Sequence, residues 1–263
     1  MFEISDSFAM IFLGLFGALL GSFANVVILR VPNGESIVLP GSHCPSCKTS
    51  LRWFDNIPIL SFFILRGKCR SCSTNISWRY PLVEVLTAVL FILCFWKIGW
   101  KWFLIEALIF VLGLVIVSFI DFDHFLLPDV FTLPGILIGI IGAFINPERI
   151  WWDSLIGVIF GGGFLWAVAY FYFLIRKEDG LGGGDIKLMA WIGAVLGWNS
   201  FAFVIIVASV LGSLVGLSMA FRGDKGMKTV IPFGPYLALG AVLYLLGGET
   251  IAQWHMEMFL PGL

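Results

Sequence analysis

The chain has 263 residues, of which 59% are apolar and 13% charged, and 26 Phe and 11 Trp contribute to a strongly positive mean hydropathy. A soluble domain carries about 25% charged residues to cover its outside, so a soluble globule is excluded and most of the surface must face lipid. A net charge of −1 excludes bulk attraction to nucleic acid.

A helix needs roughly 20 mostly apolar residues to cross the hydrocarbon. In chain order the candidate stretches are Phe8–Leu29, Pro81–Trp96, Trp102–Ile120, Val130–Ile145, Ser154–Ile175, Ile186–Trp198, Phe201–Phe221 and Phe233–Leu246. The expected fold class is therefore an all-α polytopic membrane protein of about eight transmembrane helices. Ile186–Trp198 is short and reads equally well as a re-entrant or partly buried helix. The first stretch follows Glu3 and Asp6 and no Lys or Arg, which points to a retained helix with its N-terminus outside rather than a cleaved signal peptide.

The basic residues fix the orientation. With eight spans starting outside, the inner side receives seven from Arg30 to Arg79, then Arg176, Lys177 and Lys187, then Arg222, Lys225 and Lys228. Lys97, Lys101 and Arg149 fall outside, so 13 of the 16 lie inside, as the positive-inside rule requires. Both termini are then external. The one loop long enough for a small domain, residues 30–80, is cytoplasmic.

That loop holds Cys44-Pro-Ser-Cys47 and, 21 residues later, Cys69-Arg-Ser-Cys72. Paired C-x-x-C knuckles suit one tetrahedral Zn2+, since each supplies two thiolates along an edge of the tetrahedron. Lys68 and Arg70 offset the thiolate charge. Redox-active thiols are the alternative reading, because a reducing cytoplasm disfavours disulfides. Four sulfurs leave no open coordination position, so the site reads as structural. His43 is a neighbour that can replace a cysteine, and Cys94, inside a span, reads as a small buried apolar residue.

Ionisable residues at helix ends in so apolar a chain are functional candidates. Asp121-Phe-Asp123-His-Phe-Leu-Leu-Pro-Asp129 joins the third and fourth stretches, and Gly180-Leu-Gly-Gly-Gly-Asp185-Ile-Lys187 opens the sixth. Two carboxyls brought together in a poorly hydrated place can share a proton. They can then take a proton from water and give one to a peptide. Helix capping or solvated interface acids are the bland reading for each of Asp121, Asp123, Asp129 and Asp185 alone. There is no His-Glu-x-x-His, and the histidines at 43, 124 and 255 offer a serine nucleophile no evident partner. A coupled transporter also uses intramembrane acids, but near the bilayer midplane.

Together these residues resemble the bacterial type IV prepilin peptidases, or leader peptidase/N-methyltransferases. The resemblance runs through Gly21-Ser-Phe-Ala-Asn-Val with Arg30-Val-Pro, both cysteine pairs, Trp53-Phe-Asp55-Asn56-Ile-Pro58-Ile-Leu-Ser61, Arg79-Tyr80-Pro-Leu-Val-Glu84, the Asp121–Asp129 segment, and Gly-Gly-Gly-Asp-Ile-Lys at 182–187. The last fits the Gly-x-Gly-Asp signature of intramembrane aspartyl proteases. It implies that Asp121 and Asp185 are the catalytic pair. Asp123 and Asp129 become secondary, with Asp129 capping its helix and Lys187 either orienting substrate or snorkelling.

The resemblance also implies the substrates and the second reaction. A short basic leader is cut from prepilins or pseudopilins at the cytoplasmic face of the bacterial inner membrane, and the new N-terminus is methylated with S-adenosylmethionine. The partners are an apolar substrate helix and the lipid bilayer, with no nucleic acid, and association into a homo-oligomer stays open. Methyl transfer is associated in the family with the cytoplasmic loop, which makes Asp55, Asn56, Pro58, Arg79, Tyr80 and Glu84 the candidate cofactor-binding positions. The family often has Glu where this chain has Asp55, and Asn56-Ile-Pro58 reads equally as a turn packed on the knuckles.

The chain thus divides into a first helix (1–29), a zinc-binding insert (30–80) and a transmembrane peptidase domain (81–263). Gly161 to Gly163 and the small residues from Ala208 to Gly216 allow close helix packing, and Trp100, Trp102, Trp151 and Trp152 belong at the outer interface. The rival from another class is a non-enzymatic assembly or transport protein whose insert docks a partner.

Overall fold

The computed structural model describes residues 5–178, 180–222, 231–248 and 250. The expected residues Glu3, Lys225, Lys228 and His255 lie outside the described residues. The chain forms two compact units, Met1–Leu104 and Ile105–Leu263.

The first unit starts with α1 (Asp6–Arg30), whose N-terminus is capped by Ser5: its hydroxyl accepts from the Phe8 N–H at 3.3 Å. Asp6 in the first turn and Arg30 in the last complement the helix dipole. A single turn of 3₁₀ helix over Val31–Asn33 ends the segment at Gly34, in a left-handed conformation. The insert then runs through a 3₁₀ turn at Trp53–Asn56 and a short α2 (Leu60–Ile64) to α3 (Arg79–Ile98). α1 packs along α3 through Gly14, Gly17 and Gly21. A Cβ on Gly17 would stand 2.9 Å from Ala88 Cα, and one on Gly21 2.8 Å from Glu84 Cα, so a side chain at either place would push the helices apart.

In the second unit, α4 (Phe103–His124) enters from the first unit's last residues, followed by α5 (Asp129–Ile145), α6 (Trp151–Arg176), α7 (Gly183–Leu196), α8 (Ser200–Arg222) and α9 (Gly234–Leu243), which continues into a π-helical turn over Tyr244–Gly248. Every candidate stretch read from the sequence falls on a helix. Among the described residues five helices (α1, α3, α4, α6 and α8) are long and apolar enough to cross a membrane, while α5 and Gly234–Gly248 are shorter apolar helices. On α6 and α8 large side chains such as Ile159, Ile175, Leu214 and Phe221 stay exposed, as a lipid-facing surface requires. No strand occurs among the described residues; pairing is confined to two isolated bridges, His43 with Ser50 and Lys68 with Asn75.

The short sixth stretch is the structural centre of its unit. With 14 residues α7 spans about 21 Å, less than the roughly 30 Å hydrocarbon core, and Leu188 through Val195 are all buried. Close approach makes that burial possible. Gly157 of α6 and Gly193 of α7 meet backbone to backbone, and a Cβ on Gly161 would lie 2.7 Å from the Met189 carbonyl oxygen. On the opposite side Trp191 fills the gap left by Gly113 and Gly135 and meets the Phe110 ring edge-on at 5.5 Å. Gly162 also packs closely, against Ala190, whereas Gly163 has open space beside it.

Candidate active site and metal centre

Asp121 lies in the last turn of α4 and Asp185 in the first turn of α7. Both are buried, at 5% and 9% exposure. Leu127, itself buried, links the two positions: a Cβ on Gly184 would meet Leu127 Cβ at 2.7 Å, and one on Gly234 would lie 3.1 Å from Leu127 Cδ2 and 2.7 Å from Asp121 Oδ2. Asp121 Oδ2 accepts a hydrogen bond of 3.0 Å from the Gly234 N–H at the start of α9. Asp185 Oδ1 is buried with no hydrogen-bond partner among the described residues. A buried carboxyl oxygen without a partner is costly and marks a site kept for chemistry or a ligand.

The flanking acids sit differently. Asp123 is exposed. Asp129 is the first residue of α5, the N-cap is Pro128 and no side chain caps the helix, which corrects the capping expectation. The Asp129 carboxylate accepts instead from Lys187 Nζ at 2.6 Å, with both side chains substantially exposed. Lys187, two residues after Asp185, is therefore paired with the first residue of α5.

In the first unit, Cys44, Cys47, Cys69 and Cys72 bring their sulfurs within 4.8 Å of one another. Cys44 Sγ is 3.8 Å from Cys72 Sγ and Cys47 Sγ 4.0 Å from Cys69 Sγ. A Zn–S bond of about 2.3 Å sets tetrahedral sulfurs roughly 3.8 Å apart, so the four thiols fit a tetrahedral metal. The two knuckles repeat one another at an offset of 25 residues. Cys44 N bonds Thr49 O as Cys69 N bonds Thr74 O, and Leu51 N bonds Ser42 O as Ile76 N bonds Gly67 O. Lys48 and Ser73 both take positive φ, at 59° and 58°. Hydrogen bonding with the Thr74 hydroxyl, 3.2 Å away, pulls the Cys72 thiol down to about 6, and a backbone hydrogen bond at Cys47 lowers Cys44. All four are free thiols. His43 stays out of the cluster, bonded through Nδ1 to Gly41 O at 3.0 Å, and Cys94 is fully buried.

A cavity of about 970 Å³ opens beside this centre, lined among others by Asn25, Asp55, Asn56, Arg79, Tyr80 and Glu84. Five of the six positions expected for methyl transfer thus share one hollow; Pro58 is not part of its wall. Asp55 has a further engagement. Its carboxylate takes a two-pronged contact from Arg70, Nη2 at 2.6 Å and Nε at 3.0 Å, and holds that guanidinium above its ordinary pKa. The arginine expected to offset thiolate charge therefore ties the second knuckle to the Trp53–Asn56 turn. Glu84, on α3, accepts from the Ile59 N–H at 2.7 Å and fixes the start of α2.

Asn25, quoted in the motif but given no role from sequence, donates through Nδ2 to Gly21 O at 3.2 Å and Tyr80 O at 3.1 Å. Two carbonyls fix the amide's orientation, and its Oδ1 is buried without a partner among the described residues. Arg30, another motif residue, donates to Ser36 O at 2.9 Å and Gly41 O at 3.3 Å, tying the insert to the end of α1.

A helical membrane protein with a buried carboxyl pair in one unit and a four-thiol centre in the other is the class these observations define. Family models match both units: the bacterial peptidase A24 N-terminal domain over residues 15–98, and the type IV leader peptidase family over residues 108–217. Relatives named prepilin leader peptidase/N-methyltransferase include that of Aeromonas hydrophila, 36% identical over 96% of this chain and 95% of the relative. That of Pseudomonas aeruginosa is 36% identical over 92% of each chain, and that of Myxococcus xanthus 44% over 83% of this chain and 66% of the relative. No solved structure matches. The chain belongs to the type IV leader peptidase family.

Proposed function

We propose that this chain is a membrane-embedded aspartic endopeptidase that removes the short basic leader of type IV prepilins or pseudopilins at the cytoplasmic face of the inner membrane, then N-methylates the exposed terminus. The carrying observation is the burial of Asp121 and Asp185 around Leu127, at the ends of two helices of one unit. Like charges confined together do not both ionise readily, so the pair holds one proton. The ionised carboxylate takes a proton from water as the water attacks the scissile carbonyl, and the protonated partner donates toward the developing oxyanion or leaving amine. No acyl-enzyme forms, because water is the nucleophile. Asp123, exposed two residues after Asp121, adds negative charge that favours a basic leader, and the apolar helix of the substrate is held among the spans.

Cys44, Cys47, Cys69 and Cys72 would hold a structural Zn2+, closing an insert that has little apolar core of its own. The cavity's volume lies at the upper end of the range for small-molecule sites. Asp55, Asn56, Arg79, Tyr80 and Glu84 would hold S-adenosylmethionine there, and that group supplies an electrophilic methyl. Glu84 places a carboxylate on the wall for a cationic ligand and Tyr80 a ring, while Asp55, paired with Arg70, holds that wall in place.

The test is incubation of the purified protein in lipid with a prepilin, with and without S-adenosylmethionine, followed by the mass of the product's N-terminus. Leader loss in both arms and one added methyl only with the donor are expected. An intact prepilin in both arms overturns the peptidase reading, and a cleaved but never methylated product overturns the second activity.

A further inference from the structure

The end of the second unit remote from Asp121 and Asp185 contains a buried ionic network that the proposed chemistry leaves unused. Glu106 sits in the first turn of α4, 15 residues before Asp121, which is about 22 Å along the helix. Arg149, in the connection between α5 and α6, donates through Nη1 to both Glu106 oxygens, at 2.6 and 2.8 Å. Its Nη2 donates to the Ala194 carbonyl at 2.9 Å, and the Ser154 hydroxyl of α6 donates to the same oxygen at 2.7 Å. Ala194 lies in the last turn of α7, nine residues after Asp185. Its carbonyl is one that the helix cannot satisfy internally.

One guanidinium therefore holds both helices that carry the proposed dyad, each at the end opposite its aspartate. The side chains are 8% exposed for Glu106 and 16% for Arg149. The surroundings are shaped for them: Gly142 leaves room beside the Glu106 carboxylate, and Gly197, with φ of 80°, leaves room beside Asp153. α7 is buried along its length and packed through glycines. Toward α6 these contacts are bare backbone, and the side chain that keys α7 along its axis is Trp191, seated between Gly113 and Gly135. The fixed donors at Ala194 add a second, polar stop at the end of the helix opposite Asp185.

We propose that Arg149, with Glu106 and Ser154, is a positioning clamp that sets the axial register of α7 against α4 and so places Asp185 relative to Asp121. None of the three touches substrate. The inference rests on the dyad reading of Asp121 and Asp185. A positively charged fork is required at 149 because it must serve a carboxylate and a carbonyl at once. Lysine keeps the charge but cannot hold both acceptors in that geometry.

The experiment compares Arg149→Lys, Glu106→Gln and Ser154→Ala in lipid, reading kcat, KM and the pH–rate profile of leader cleavage per folded molecule. Displacement of a reacting group by about 1 Å costs on the order of 100-fold in rate. Arg149→Lys and Glu106→Gln are therefore expected to lower kcat roughly 10- to 100-fold with KM unchanged, and to move the two limbs of the pH profile, which report the coupling between the carboxyls. Ser154→Ala keeps the ion pair and removes one donor, so its kcat loss should be smaller and in the same direction. Folded variants with wild-type kcat and profile, or with raised KM alone, overturn the clamp. If Arg149→Lys and Glu106→Gln fail to insert, Ser154→Ala decides: an unchanged kcat and profile there overturns it. Cleavage that survives Asp121→Asn or Asp185→Asn sinks the dyad reading instead, which separates the two failures.

Discussion

Asp121 can rest where it does because residue 234 has no side chain. A Cβ there would press on Asp121 Oδ2 at 2.7 Å and on Leu127 Cδ2 at 3.1 Å, and the carboxylate would have to give way. Gly234→Ala should therefore slow cleavage by roughly 10- to 100-fold with little loss of stability, checked by turnover against thermal unfolding of the same preparation. Replacing either carboxyl goes further. Asp121→Asn and Asp185→Asn should each reduce leader removal by about 10³-fold or more while the protein still inserts. If the pair works with one proton, the rate should fall at low pH, where both carboxyls are protonated, and at high pH, where both are ionised. A rate that rises without limit toward either end would contradict the shared proton. Residue types alone left four acids as candidates, because any of them could cap a helix or sit in water. Burial separates them: Asp121 and Asp185 are enclosed, while Asp123 is exposed and Asp129 is paired with Lys187.

Among the elements, those set by local spacing were the most legible. Each C-x-x-C knuckle is a short turn whose shape depends on its own hydrogen bonds, which is why two of them, far apart in the chain, repeat bond for bond. The helices followed from apolar runs for the same reason. What no local pattern carries is the tie across the insert: Asp55 to Arg70, Glu84 to the Ile59 N–H, and Arg30 to Ser36 and Gly41. These join residues that only tertiary folding brings together. The importance of α7 was hidden likewise, since its shortness marks it as odd but only packing shows Leu188 through Val195 enclosed. If the knuckles close around Zn2+, Cys44→Ser combined with Cys47→Ser should take the metal content of the purified protein from about one to near zero equivalents per chain. Limited proteolysis should then cut within residues 31–78. Full metal retention in that variant would remove the four-thiol site.

At the scale of the whole molecule, each compact unit carries its own candidate chemistry. The cavity proposed for methyl transfer is lined by residues of the first unit, and Asp121 and Asp185 belong to the second. If each site works from its own unit, the two reactions should be separable by single substitutions. Asp185→Asn should still methylate a prepilin peptide supplied without its leader. Glu84→Gln removes a charge from the cavity wall yet keeps an amide oxygen able to accept from the Ile59 N–H, so α2 stays pinned while binding of a cationic donor weakens. That variant should lose methylation by roughly tenfold, the factor of one weakened charge-assisted contact of about 1.4 kcal/mol, and cleave at the wild-type rate. The pair of variants is read together, by product mass from the same two substrates. A parallel fall of both activities in either one would mean that the sites depend on each other, and the division of labour between the units would have to be given up.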